Sequence, residues 1–272
     1  MSIDSARFGP WAVVTGASSG IGREFARQLA AAGVNLVLVA RRLAILQEVG
    51  ADLGANYGVE HRAVGVDLSE PGSLPSITEA TEDLDVGLLV SNAGAGKPGS
   101  FLGEDLDFQR RLVRLNTTAH LELTHHFGQL LARRGRGGIV LVSALGAVHG
   151  IPYMANAAAT KAYVASLGDG LHVELAKLGV HVSVLHPGLT RTPVLAEFGL
   201  EGIRLPIPTM SVERSVAETV HALARNRARC IPGRLNRLMN TVAPPALTRS
   251  VMAGMLSAAA QNAEHAKYTP TT

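Results

Sequence analysis

Thr15-Gly16-Ala17-Ser18-Ser19-Gly20-Ile21-Gly22, the stretch TGASSGIG at residues 15–22, closes the apolar run Trp11-Ala12-Val13-Val14-Thr15 and opens the helical pattern Ile21-Gly22-Arg23-Glu24-Phe25-Ala26-Arg27-Gln28-Leu29. A buried run, a glycine-rich turn and a helical segment in that order predict a strand, a tight turn and a helix. Glycine lets the backbone turn sharply and come close to a ligand. The helix start that follows offers free N–H groups and the positive end of the helix dipole, which together attract an anion such as a pyrophosphate. The G-x-x-x-G-x-G spacing is also compatible with an ordinary strand-to-helix turn, so its context decides the reading.

The same alternation recurs outward from this turn. Asn35 to Ala40, His61 to Val66, Val86 to Val90, Gly138 to Val142 and Val180 to Leu185 read as strands, with helical segments between them. Strands alternating with helices of this length predict an α/β fold, a doubly wound parallel sheet of the Rossmann type covered on both faces. With 272 residues, 47% of them hydrophobic, and no linker, repeat or low-complexity tract, the chain is expected to form one domain around one substantial core. Residues 1–230 would carry the dinucleotide-binding and catalytic parts. The composition shifts only at 231–272, where Arg234, Arg237 and Arg249 meet no acid before Glu264. That extension reads as basic, amphipathic and partly helical, covering the pocket, packed on the same domain or across subunits, or resting against a membrane surface.

A formal charge of +3 is too small to argue for nucleic acid. One cysteine, Cys230, excludes an internal disulfide and fits a reducing compartment. The N-terminus lacks a signal pattern, no apolar run reaches the ~18 residues of a transmembrane segment, and a cytoplasmic location is expected. No metal site is expected. After the second strand stand Arg41 and Arg42, where such a sheet presents the ribose end of a dinucleotide. An acid there would accept from a 2′-hydroxyl, whereas arginine pairs with a 2′-phosphate, so the expected cofactor is NADP(H). The alternative is that both simply begin a surface helix, more so for Arg42 than for Arg41.

From about Phe8 to Cys230 the chain resembles the short-chain dehydrogenase/reductase family. TGASSGIG resembles its cofactor turn, implying contacts at Gly16, Ser18, Ser19, Gly20, Ile21 and Gly22. Asp67-Leu68 resembles the pair beside the adenine, Asn92-Ala93-Gly94 the family's NAG motif, Asn116 its buried helix asparagine, and Pro187-Gly188-Leu189-Thr190 the segment that grips the nicotinamide amide. The resemblance also implies a homodimer or homotetramer through the helices around residues 105–133 and 156–178.

The family's reaction uses Asn, Ser, Tyr and Lys together. Tyrosine moves the substrate proton, lysine lowers the tyrosine pKa and holds the ribose, serine binds the substrate oxygen, and asparagine supports a water relay. Lys161 sets the register here, and the tyrosine of Y-x-x-x-K then falls on Ala157 and the serine on Ala144. No shift repairs this, because four residues after Tyr153 and Tyr163 stand Ala157 and Leu167. Asn116 and Lys161 remain. Ser143 lies one place early, and neighbours on a strand point to opposite sides.

A placed acid lowers the barrier to ketone reduction by about 3–5 kcal/mol. Its loss favours substrates that need little proton donation, such as an iminium or an enone that ends as a stabilised enolate. The principal expectation is therefore hydride transfer to a small, largely apolar carbonyl, imine or enone without the usual Ser and Tyr. The alternatives are a non-redox cyclase, isomerase, dehydratase or epimerase with a structural or vestigial cofactor, an inactive binding protein, or a reductase inactivated by design. Tyr153, one helical turn before Ala157, His149 and Ser143 are candidate replacements; the competing readings are a pocket-wall aromatic for Tyr153 and a loop histidine for His149. His186, just before Pro187-Gly188, reads as a satisfied strand-end histidine, the alternative being that it faces the cofactor cavity. Between Thr190 and Met210 an apolar stretch with Val194, Leu195, Phe198, Leu200 and Ile203 leaves the carboxyl end of a late strand and is the expected substrate lid.

Overall fold

The computed structural model describes residues 3–198 and 209–268. Seven strands, β1 (Trp11–Thr15), β2 (Asn35–Ala40), β3 (His61–Gly65), β4 (Val86–Ser91), β5 (Gly137–Val142), β6 (Val180–Leu185) and β7 (Arg229–Cys230), form one sheet. Every pairing is parallel and the order is β3-β2-β1-β4-β5-β6-β7. The six strands read from the sequence are present within one residue at their ends, and the two-residue β7 is an addition too short to announce itself by periodicity.

Helices α1 (Ser5–Phe8), α2 (Gly20–Ala31), α3 (Leu43–Tyr57), α4 (Leu74–Glu79), α5 (Leu106–Val113), α6 (Ala119–Arg134) and α7 (Ala155–Ala176) occur in the first two thirds. After them come α8 (Pro193–Glu197), α9 (Val212–Ala224), α10 (Arg234–Val242) and α11 (Pro245–Tyr268). Consecutive residues of β1 face opposite cores. Ala12 and Val14 pack with Phe25, Leu29, Leu46 and Val216 from α2, α3 and α9, while Val13 packs with Leu123, Phe127 and Val164 from α6 and α7. All five β1 residues are therefore buried, as a central strand covered on both faces requires.

The order reverses between β1 and β4, and ligands of such sheets bind in the crevice beyond the carboxyl ends of the strands at that point. Thr15 and Ser91 end the two strands there. A π-helical turn, Arg114–Thr118, joins α5 to α6 and swings Asn116 inward, where it is fully buried. The extension carries α10 and α11, and residues of both line the cavity at this crevice.

Candidate functional site

One cavity of about 560 Å³ runs from the glycine turn to α10 and α11. Its first end is built from the turn after β1. Gly16 and Gly20 hold φ of 67° and 53°, values that favour glycine. Gly22 does not line the cavity. A Cβ there would fall 2.3 Å from Gly16 O and 2.6 Å from Asn92 Nδ2, so this glycine permits the helix to pack on the strand end. Ser19 stands at the N-cap of α2 without a side-chain cap bond, and Ser18, Ser19, Gly20 and Ile21 line the cavity beside the positive end of the helix.

The neighbouring strand end is tied to this turn. Thr15 Oγ1 accepts from the Asn92 and Ala93 N–H groups, both at 2.9 Å, and Asn92 Nδ2 donates to Thr15 O at 2.9 Å. Asn92, Ala93 and Gly94 all face the cavity. Arg41 and Arg42 also line it, and Arg42 Nη2 donates to Ser18 Oγ at 3.2 Å, so Arg42 reaches back over the turn instead of only opening α3. Asp67 and Leu68 form the adjoining wall. Burial acts to raise the Asp67 carboxyl, but bonds from the Ser69 N–H and hydroxyl, with Arg41 and Arg111 nearby, hold it below its usual range. Pro187, Gly188, Leu189 and Thr190 line the far wall. An anion-attracting helix start, a glycine turn with room for close approach and two arginines fit a phosphorylated dinucleotide.

At the second end Ala144, Ala157 and Lys161 line the cavity together. Lys161 Nζ donates to Val142 O at 2.9 Å, and burial pulls its pKa from 10.5 down to about 8. Asn116 Nδ2 donates to Ala95 O at 2.9 Å and to Thr160 Oγ1 at 3.0 Å, while its Oδ1 accepts from Ala95 N. A Cβ on Gly94 would lie 2.7 Å from Lys161 Nζ and 3.1 Å from Asn116 Oδ1, so both polar groups crowd the same backbone.

The proposed replacements divide. Ser143 lines the main cavity but is almost fully buried, and its Oγ donates to Lys161 O at 2.7 Å, which ties the end of β5 to α7. Tyr153 is a correction. Helix α7 begins at Ala155 with Met154 as its N-cap, so Tyr153 precedes the helix at φ 61° and the one-turn relation to Ala157 does not hold. It lines a separate side cavity of about 360 Å³, with Met154 and Ala157 shared between the two walls. His149 lines the main cavity at the rim. His186 does not line it; burial leads the lowering of its pKa, and its Nε2 has no partner among the described residues. Of the expected lid, Val194, Leu195 and Phe198 line the cavity, whereas Leu200 and Ile203 lie outside the described residues.

Sequence reasoning missed His120. It is buried, its Nδ1 meets Ser91 Oγ at 2.8 Å and its Nε2 meets Ala93 O at 3.0 Å, which braces the Asn92-Ala93-Gly94 wall. Burial first, and then the charge of Lys161, push its pKa down to about 3, so it is neutral in ordinary buffers. Its place four residues after Asn116 was the available signal. Asn236, Met239, Asn240, Ala243, Met252 and Leu256 line the cavity from the extension, residues that the sequence did not single out although a tail covering the pocket was one expectation for it. Among the described residues no cluster of metal-ligating side chains occurs, and no helix is long and apolar enough to cross a membrane.

The short chain dehydrogenase family model matches residues 10–201. The chain is 30% identical over 189 residues to a 7beta-hydroxysteroid dehydrogenase of Collinsella aerofaciens, covering 70% of this chain and 72% of that protein. It is 35% identical over 221 residues to a very-long-chain 3-oxoacyl-CoA reductase-like protein of Arabidopsis thaliana, covering 78% and 70%. Among solved structures it resembles a short-chain dehydrogenase from Sphingobium yanoikuyae in complex with NADPH, with a TM-score of 0.78, 29% identity and 97% of each chain covered. A 7beta-hydroxysteroid dehydrogenase structure superposes with a TM-score of 0.85 at 25% identity, covering 94% of this chain and 99% of that one.

Proposed function

The chain belongs to the short chain dehydrogenase family, and from that premise we propose that it is an NADP(H)-dependent oxidoreductase that reduces or oxidises a small, largely apolar substrate without the family's serine and tyrosine. The observation that carries this reading is the joint presence, on one cavity wall, of Lys161 with alanine at 144 and 157. When bound, the dinucleotide supplies or accepts the hydride. The turn at Gly16 to Ile21 would hold its pyrophosphate, Arg41 and Arg42 its 2′-phosphate, Asp67 and Leu68 the adenine end, and Asn92 to Gly94, Lys161 and Pro187 to Thr190 the nicotinamide half. An NADPH complex of a structural relative supports the choice of cofactor.

What remains for the chain is orientation and charge. Lys161 sets an ammonium beside the reacting end at neutral pH, which favours negative charge developing there. The alanines offer no hydroxyl proton at 144 or 157. Leu195, Phe198, Met239 and Met252 give this end an apolar surface beside the polar Asn236, Asn240 and Thr248, and that surface is in keeping with the steroid and very-long-chain acyl substrates that the relatives' names state. Carbonyls conjugated as enones, and imines already protonated, place the least demand on the missing acid. His149, at the rim, is the titratable side chain available to a non-redox reaction instead. The exposed apolar residues Leu106 and Val113 on α5, Leu121 on α6 and Tyr163 and Val173 on α7 support assembly into a dimer or tetramer through that face.

The test is a fluorescence titration with NADPH, followed by NADPH oxidation against ketones, enones and imines of comparable size. Binding with turnover of enones or imines above ketones supports the reading. Binding with rearrangement of a substrate and no oxidation would replace it by the non-redox one.

A further inference from the structure

Helix α10 faces two environments. Asn236, Met239 and Asn240, with Ala243 just after the helix, line the cavity. Leu235, Leu238 and Val242, by contrast, are 48%, 57% and 64% exposed. Their spacing of three and four residues puts them on one stripe of the helix, next to the Met239 side. Apolar surface therefore continues from solvent over α10 toward the cavity. Val148 and Leu247, 58% and 56% exposed, adjoin the cavity-lining residues His149 and Thr248, and Arg249 Nη1 joins the two segments by donating to His149 O at 3.2 Å. The cavity mouth is thus edged by large side chains that the fold leaves uncovered.

The extension brings charge of one sign to this rim. Residues 231–263 contain Arg234, Arg237 and Arg249 and no Asp or Glu. Arg237 is paired with Glu218 from α9, while Arg234 flanks the stripe one turn before Leu238. An apolar stripe bordered by arginine is the composition of a helix that lies in a lipid headgroup layer. A second copy of the same basic face is the poorer occupant, since like charges would meet.

We propose that this rim docks on an anionic phospholipid bilayer, with the Leu235-Leu238-Val242 stripe among the headgroups and the cavity mouth opening toward the lipid. The route for an apolar substrate rests on the function proposed above; the docking itself does not need catalysis. The full chain is sedimented with vesicles of phosphatidylserine and phosphatidylcholine and with vesicles of phosphatidylcholine alone. NADPH titration and size-exclusion chromatography are run in parallel. Expected is binding to the anionic vesicles at least about tenfold above the neutral ones, weakened by salt. Leu235→Glu with Leu238→Glu should lower it by at least about tenfold while leaving NADPH binding unchanged, which shows that the variant is folded. Arg234→Glu should weaken it less, and most at low salt.

No sedimentation of the unmodified chain with anionic vesicles overturns the proposal, as does undiminished sedimentation of the Leu235/Leu238 variant. So does an oligomer that this variant splits, because the stripe would then be covered by a second copy. Vesicle binding without NADPH binding by either protein would sink the cofactor reading and uphold the docking.

Discussion

At the glycine-turn end of the cavity, Thr15, Asn92 and Ala93 are cross-tied by three bonds of 2.9 Å, and a methyl group on Gly22 would strike backbone. At the other end the side chains at 144 and 157 stop at Cβ, although Lys161 and Asn116 beside them keep their polar partners. The scaffold around the missing hydroxyls is thus as fully bonded as the cradle. On the function proposed above, binding and proton transfer are separable within one cavity: the first needs backbone geometry distributed over several strand ends, and the second needs single side chains.

Breaking that contrast at the reacting end has the largest expected effect. Ala144→Ser with Ala157→Tyr should raise ketone reduction by about 10²–10⁴-fold, the range of a placed general acid, as measured by NADPH oxidation. At the opposite end, Gly22→Ala should cost about 1–3 kcal/mol in denaturant unfolding by overpacking and weaken NADPH binding with it. Arg42→Ala should weaken NADPH by about tenfold or more and leave NADH nearly unchanged, in titrations of both cofactors.

Titration of Lys161 adds two effects of pH. Folded Lys161 releases its proton near 8 and the unfolded side chain near 10.5, so the unfolded state binds more protons between these values. Stability should rise with pH through that window. NADPH binding should instead weaken as the ammonium is lost above about 8, and Lys161→Met should flatten both profiles. Urea melts and fluorescence titrations across the same pH series check the two signs.

The six long strands were legible because each is a short apolar run stopped by a turn, and parallel strands buried on both faces leave that trace. Ala144 and Ala157 were legible by counting from Lys161. Tyr153 was misread because nothing in Pro152-Tyr153-Met154-Ala155 marks a helix start: Met154 makes no side-chain cap bond, and a tyrosine at positive φ gives no warning. The cavity wall from α10 and α11 depends on contacts between segments far apart in the chain, which periodicity cannot show. Arg42 was undervalued for a related reason, since its partner Ser18 lies across the β1–β2 pair.

On the proposed reading, an NADP(H) site here serves hydride transfer without a tyrosine or serine. Its most direct test is to supply NADPH deuterated at the transferable position, together with ketone, enone and imine substrates, and to read the label in the products by mass spectrometry. Deuterium in enone or imine products, with little in ketone products, is the predicted result. Saturable NADPH binding with no label in any product, while a substrate is nevertheless converted, would contradict it.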